Sequence, residues 1–362
     1  MDKRRSIINV AVVATGFFSI VLACFLAKES DFSLSEKRKL ATKPVISAES
    51  LLNRRFMKDF ESYTQDQFPF REGFRKLAAL YSCYLAGRTD NHDIFVVDQK
   101  AYKLDYKLND LTIINNTHKF EYVYDQYIKD TKDRVFFSII YDKNYYLDAN
   151  LGYPRLDYEK LTGLCRESMP FAEYIDISDT LDSDCFYNTD PHWRQEKIKS
   201  AAQRISEGLG FKLENEYEIK KLDVDYLGTY AGQSALPLRT ESILYIENDM
   251  LSNCQVTNYE TNTVQGIYDL KRGNGRDPYE FFLSGPVSLL KIDNPMGPSD
   301  KKLIIFRDSY ASAVAPYLLE SYSQVVLIDI RYIAMQLIGK FVDFNNSDVL
   351  FLYSSSVLNS WS

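Results

Sequence analysis

Histidine is scarce in this chain. There are three among 362 residues, His92, His118 and His192, and their dispersal argues against a metal site built from histidine alone. Cysteine is scarce as well: five residues and no C-x-x-C pair, which removes the usual thiolate zinc frameworks. Cys165 and Cys185 are spaced so that a disulfide between them is neither required nor forbidden. No glycine-rich phosphate loop and no metal-ligand cluster occurs, so neither a nucleotide nor a metal cofactor is implied. An excess of positive charge is also missing. With 43 basic and 50 acidic residues the net charge is −7, and no basic patch interleaved with aromatics offers a phosphate backbone a binding surface, which argues against nucleic acid as a partner. Tryptophan occurs twice. One of the two, Trp193, directly follows His192 in FYNTDPHWR, Phe186–Arg194.

What is present describes a folded protein with an apolar N-terminal segment. Hydrophobic residues make up 45% and charged residues 26%, ordinary values for a globular chain. Aromatics reach 14%, with 27 tyrosines; tyrosine suits sugar binding and suits plain packing equally. Residues 1–6 carry Lys3, Arg4 and Arg5, and residues 7–27 carry no charge at all. That is enough to cross a bilayer, which takes about 20 residues. Basic residues on the N-terminal side keep that end in the cytoplasm. The expected topology is a cytoplasmic tail at 1–6, an anchor at 7–27 and an extracytoplasmic remainder at the cell membrane. The rival is a cleaved signal peptide, whose apolar region is usually shorter and ends at a small-residue site; the length favours the uncleaved anchor.

Residues 28–48 are polar and without period, as a linker would be. Apolar residues at helical spacing predict helices over about 48–65 and 71–85, the second with Phe74, Leu77, Tyr81 and Tyr84 on one side, and Pro69 between them as a breaker. The pattern changes near residue 93, where a domain running to 362 is expected. Residues 93–97 read as a short strand, and 134–141, 302–306, 324–329 and 348–353 are β-branched and aromatic runs, the signature of strands buried on both faces. A helix over 194–209 is expected between them, with Ile198, Ala201, Ile205 and Leu209 inward and Gly210 as its stop. Apolar strands alternating with helices predict an α/β sheet, mostly parallel. Residues 212–300 are less regular and suggest an insertion.

In such sheets active sites form where strands end and helices begin. Two loops qualify: Asp190-Pro191-His192, and Arg307-Asp308-Ser309 at the end of the 302–306 run. A serine at a helix N-terminus lies near free backbone N–H groups and the positive end of the dipole, which stabilise a developing oxyanion. Ser309, His192 and Asp190 together make a nucleophile, a base and an orienting carboxylate. In an extended segment residues two apart share a face, so D-x-H places acid beside base. The same residue types also serve simpler ends, since Asp-Ser at a strand–helix junction is a common cap and a histidine can be a buried, satisfied one. His92 and His118 fall in loop-like polar stretches and receive no role.

Six segments in order resemble the bacterial DHHW protein family, SGNH-hydrolase-like proteins related to periplasmic alginate O-acetylation proteins. They are Leu34–Leu40 (LSEKRKL), Tyr63–Arg71 (YTQDQFPFR), Ile140–Lys143, Thr189–Trp193 (TDPHW), Phe306–Tyr310 (FRDSY) and Ile328–Tyr332 (IDIRY). The resemblance implies a flavodoxin-like three-layer α/β/α SGNH-like domain behind the transmembrane helix and a helical stalk. It implies Ser309 as nucleophile, His192 as base and Asp190 as its orienting acid, with D-x-H preceding the serine. It implies transfer of an acetyl group to an extracellular polysaccharide. The partner it implies is a multi-spanning membrane-bound O-acyltransferase as acyl donor.

Two departures stand out. Pro191 replaces the histidine of the family's name motif, at a position expected to point away from the serine. The oxyanion-hole glycine and asparagine of ordinary SGNH enzymes have no clear counterpart; Gly228, Gly232 and the hydroxyls of Tyr353–Ser356 are the candidates, the glycines serving equally as turn residues. An O-acetyltransferase is the leading reading. A carbohydrate esterase with the same triad, and a non-catalytic envelope protein that binds glycan or docks on a membrane partner, are the alternatives.

Overall fold

The β-branched runs form strands because both of their faces are covered. In a computed structural model that describes residues 3–298 and 300–361, eight strands make one sheet. They are numbered here along the chain: β1 Arg134–Ile140, β2 Glu173–Tyr174, β3 Gln255–Asn258, β4 Thr263–Gln265, β5 Leu289–Asp293, β6 Lys302–Arg307, β7 Gln324–Ile328 and β8 Ser347–Ser354. Their order across the sheet is β4-β3-β5-β7-β6-β8-β1-β2. The run from β7 to β2 is parallel, and β5, β3 and β4 extend it antiparallel. The sheet is therefore mixed where the strand pattern alone predicts a mostly parallel one. Residues 212–300 carry the antiparallel flank. Its strands are short and partly exposed, so they lack the continuous apolar run that marks the central ones.

Alternate side chains of each central strand feed two apolar layers, as the pleat requires. On one face Phe136, Leu303, Ile305, Leu350 and Leu352 meet the helices Lys199–Gly208 and Ala311–Leu318. On the other Phe137, Ile304, Phe306, Val349 and Phe351 meet Asp110–Val123 and Tyr158–Ser168. The result is three layers, α/β/α. Every residue of β8 is buried. The helix expected over 194–209 begins later, at Lys199, after a 3₁₀ turn at Gln195–Lys197. Its inward residues Ile198, Ala201, Ile205 and Leu209 are all buried, and Gly210 ends it with φ +90. The Asn115–His118 stretch is helical, within Asp110–Val123. Asn116 is tolerated there because its side chain donates to the Leu358 carbonyl.

All five cysteines are free. Cys185 packs in the first apolar layer and Cys165 in the second, so the sheet stands between them and the disulfide left open by their spacing does not form.

The chain divides into two units, Met1–His92 with Ala231–Pro237, and Asp93–Tyr230 with Leu238–Ser362. The first holds the apolar helix Lys3–Leu26, a small hairpin of Phe32–Ser33 and Arg38–Lys39, and the helices Arg55–Asp66 and Arg71–Leu80. One helix in it, at Arg5–Cys24, is long and apolar enough to span a membrane. Two of the family-like segments meet in this unit: Glu36 pairs with Arg71 at 2.5 Å and Arg38 with Asp66 at 2.6 Å.

Candidate active site

Ser309 stands just past the carboxyl end of β6, before the helix Ala311–Leu318. The turn that presents it is braced by Asp308, which is fully buried. One Asp308 carboxylate oxygen accepts the Tyr310 N–H at 3.0 Å and the other accepts the Ser354 N–H at 2.7 Å, tying the turn to the end of β8. Below it the buried Arg307 guanidinium donates to Ser312 Oγ and to the carbonyls of Gly285 and Val287. Burial pulls its pKa down from the usual arginine value.

Asp190 and His192 lie in a bend closed by an antiparallel bridge between Phe186 and Trp193. They are not on an extended strand, so alternation of faces does not bring them together. The cause is an Asx-type turn: Asp190 Oδ1 accepts the backbone N–H of His192 at 3.1 Å, and the same oxygen lies 2.6 Å from His192 Nδ1. The other carboxylate oxygen accepts the Thr229 N–H at 2.8 Å, and the Tyr226 side chain also bonds to this carboxylate. His192 Nε2 lies 2.7 Å from Ser309 Oγ. The three residues singled out in the sequence thus form one hydrogen-bonded line, with Asp190 buried and the imidazole 16% exposed.

The imidazole plane is fixed by neighbours. Tyr279 stacks on it with ring centroids 4.0 Å apart, and Tyr310 leans on it at 4.9 Å. Two reciprocal bonds lock the histidine bend to the serine turn: Trp193 Nε1 donates to the Tyr310 carbonyl at 2.9 Å, and the Tyr310 hydroxyl donates to the Pro191 carbonyl at 2.7 Å. That is why a tryptophan follows the histidine. Pro191 itself contributes its carbonyl to this lock.

No family model matches the chain, and no curated protein does. Solved structures do. A DHHW family protein from Eubacterium siraeum is similar with a TM-score of 0.59 and 17% identity, covering 74% of this chain and 91% of that one. Bacillus cereus PatB1, solved with a sulfonyl adduct, is similar with a TM-score of 0.59 and 16% identity over 74% of this chain and 96% of its own. A second PatB1 structure gives 0.58, 15%, 74% and 97%. The chain shares the fold of these proteins. At these identities the likeness is one of fold.

Sequence reasoning missed two contributors to this site, Lys143 and Glu241, and gave a third another role. Lys143, just past β1, is 2% exposed, and its ammonium donates to the carbonyls of Tyr187 at 2.9 Å, Asn188 at 3.4 Å and Asp190 at 3.0 Å. Burial pushes its pKa down to about 7 against the attraction of Asp190 and Glu241. Glu241 accepts the backbone N–H groups of Asn188 and Thr189 and the Thr189 hydroxyl. Gly228 is the third: a Cβ there would sit 2.3 Å from Asp190 Cβ and 2.4 Å from the Thr189 carbonyl oxygen. Lys143 falls in one of the family-like segments, which was its only signal; Glu241 bears none.

The oxyanion candidates fare differently. The Gly228 N–H is spent on Thr189 Oγ1, and its backbone angles are ordinary, so it serves close approach and neither of the two expected roles. Gly232 lies in the other unit, where a Cβ would strike the Ser35 carbonyl. Ser354 and Ser355 are engaged with Val357 and Asp142. The Ser309 backbone N–H, by contrast, meets no protein acceptor among the described residues. Also among them, no group of three or more His, Cys, Asp or Glu side chains converges as a metal site does.

Proposed function

We propose that this chain is an extracytoplasmic, membrane-anchored O-acetyltransferase of SGNH type that acylates a hydroxyl of a cell-envelope polysaccharide. The observation that carries the reading is the line from Asp190 through His192 to Ser309, with both hydrogen bonds within 2.7 Å. A serine hydroxyl is a weak nucleophile until a positioned base takes its proton. In this reading Ser309 Oγ attacks the donor's acyl carbonyl while its proton passes to His192 Nε2. Collapse of the tetrahedral intermediate breaks the bond to the leaving group, which takes that proton and departs, leaving the acyl ester on Ser309. A sugar hydroxyl then attacks the ester and gives its proton to His192, which returns it to Ser309 Oγ. Asp190 holds Nδ1 protonated and stabilises the imidazolium. The Ser309 N–H, at the start of a helix, faces the oxyanion.

Residues 1–6 would remain in the cytoplasm, residues 7–27 anchor the chain and residues 28–92 raise the 93–362 domain outside. The acyl donor would be a multi-spanning membrane-bound O-acyltransferase, since acetyl groups are made in the cytoplasm and this site lies outside it.

The test uses the full chain in detergent with a chromogenic acetyl ester, with and without oligosaccharide acceptors, and labelling by an aryl sulfonyl fluoride read by mass spectrometry. Ester turnover and a label on Ser309 are expected, both abolished in Ser309→Ala and His192→Ala, with acetylated sugar formed. Turnover that survives in Ser309→Ala overturns the reading. Serine-dependent acetate release without acetylated sugar identifies an esterase instead.

A further inference from the structure

We infer that the helix Arg71–Leu80, with its π-helical continuation Tyr81–Leu85, is an interfacial helix whose apolar face lies in the outer lipid surface beside the span. The inference rests on residues 7–27 crossing the membrane, and goes beyond it by assigning a second contact with lipid.

The helix has two faces with opposite fates. One is docked within its own unit. Arg75 donates to the carbonyls of Gly232 at 2.8 Å and Gln233 at 3.0 Å and pairs with Glu36 and Glu72, and Ala79 beside it is fully buried. The opposite face carries Phe74, Leu77, Tyr81, Tyr84 and Leu85, which are 50%, 63%, 61%, 70% and 79% exposed. At 3.6 residues per turn these five fall on a single stripe. So large an unpartnered apolar stripe marks an interaction site.

What covers it is indicated by where the helix starts. Ala23, Leu26 and Ala27 at the end of the span line one shallow cleft with Phe68, Pro69 and Phe70. The chain leaving the span is tied to the same place: the Ser30 N–H donates to Gln67 Oε1 at 3.0 Å, and Gln67 Nε2 donates to the carbonyls of Ser30 and Ala41. The helix therefore begins at the level where the span ends, which is the depth of the headgroups once the span is in a bilayer. Its composition fits that depth. Tyrosines with an apolar body and a polar tip favour the interface, and a helix with leucine and aromatics on one face and charges on the other lies in the interfacial plane. Lys76, on the polar side and exposed, suits phosphate headgroups.

The test places an environment-sensitive fluorophore at Leu77→Cys in the full chain, with the accessible Cys24 and Cys83 changed to serine. The chain is reconstituted in phosphatidylcholine vesicles containing a minority of phosphatidylglycerol. Companion chains carry the label at Phe18→Cys in the span and at Lys271→Cys. Nitroxide lipids, spin-labelled either near the carbonyl or deep in the acyl chain, act as quenchers. The expected result is blue-shifted emission at Leu77 that loses most of its intensity to the shallow nitroxide, quenching at Phe18 by the deep one, and none at Lys271. Quenching at Phe18 with none at Leu77 overturns the inference and leaves the anchor standing. No quenching at either removes the anchor itself. Blue-shifted emission at Leu77 that no nitroxide quenches, and that grows with protein density, assigns the face to a second copy and overturns the lipid contact.

Discussion

Lys143 holds the backbone of the bend that carries Asp190, without touching Ser309 or His192. Its ammonium gathers three carbonyls of the 187–190 bend, and burial lowers its pKa to about 7 from an ordinary 10.5. Between those values the unfolded chain keeps the proton that the folded chain releases, so the unfolded state binds more protons. Stability then rises with pH across the window, by at most about 1.4 kcal/mol per unit. Below the lower value both states are protonated and the slope vanishes. Lys143→Met removes this dependence and frees the bend. The expected outcome is a urea-unfolding free energy whose wild-type rise from pH 7 to 10 is absent in the variant, together with a kcat reduced roughly tenfold or more and KM little changed. A variant whose stability keeps the wild-type slope would place the titration elsewhere. No spacing in the sequence could reveal this lysine's three bonds, because they go to backbone carbonyls, which every residue type has.

Two chain elements far apart in sequence, the bend at 186–193 and the strand–helix turn at 306–311, are brought to hydrogen-bonding distance by side chains that lie next to the reactive ones. Trp193 is fully buried, and its indole N–H reaches the Tyr310 carbonyl. Replacing it with phenylalanine keeps most of the packing and deletes that bond, while the Tyr310 carbonyl keeps the Ala313 N–H at 3.2 Å, so the cost is that of one buried hydrogen bond, about 0.5–1.5 kcal/mol. Trp193→Phe is expected to lower the unfolding midpoint accordingly and to weaken turnover more than substrate binding, as the histidine loses its register with the serine; a midpoint unchanged from wild type would show the bond to be dispensable. At this scale much was legible beforehand. β1, β6, β7 and β8 are apolar on both faces and announce themselves, and a D-x-H beside a serine at a strand end names the three residues. The reason given by the sequence for the D-x-H spacing was nevertheless mistaken. Alternation along an extended chain does not operate in a bend, and the pair meets because an aspartate side chain accepts the N–H two residues on. The antiparallel flank stayed hidden for a related reason: β3 and β4 are short and half covered, so their composition is that of loops.

For the whole molecule, the proposed anchor places the sheet on the outer side of the membrane. The charges next to the span argue for the outside: Lys3, Arg4 and Arg5 precede it, while in the segment 28–36 that follows, one lysine stands against Glu29, Asp31 and Glu36. The basic cluster Lys37–Lys39 comes later, and Arg38 there is neutralised by Glu36 and Asp66, so it offers the cytoplasm little free charge. Positive flanks stay inside and the remainder is carried across. The absence of disulfides bears on this only indirectly. An oxidising compartment permits disulfides without demanding them, and Cys165, Cys185 and Cys254 are buried where no oxidant reaches them. A protease added to intact bacterial protoplasts expressing the chain with a C-terminal epitope is therefore expected to remove the epitope, while a cytoplasmic marker survives. Replacing Lys3, Arg4 and Arg5 with glutamine removes the bias and is expected to leave a larger protected fraction. Full protection of the epitope in the unmodified chain would put Ser309 in the cytoplasm, away from any envelope polysaccharide, and would refute the proposed substrate while leaving the triad's geometry untouched.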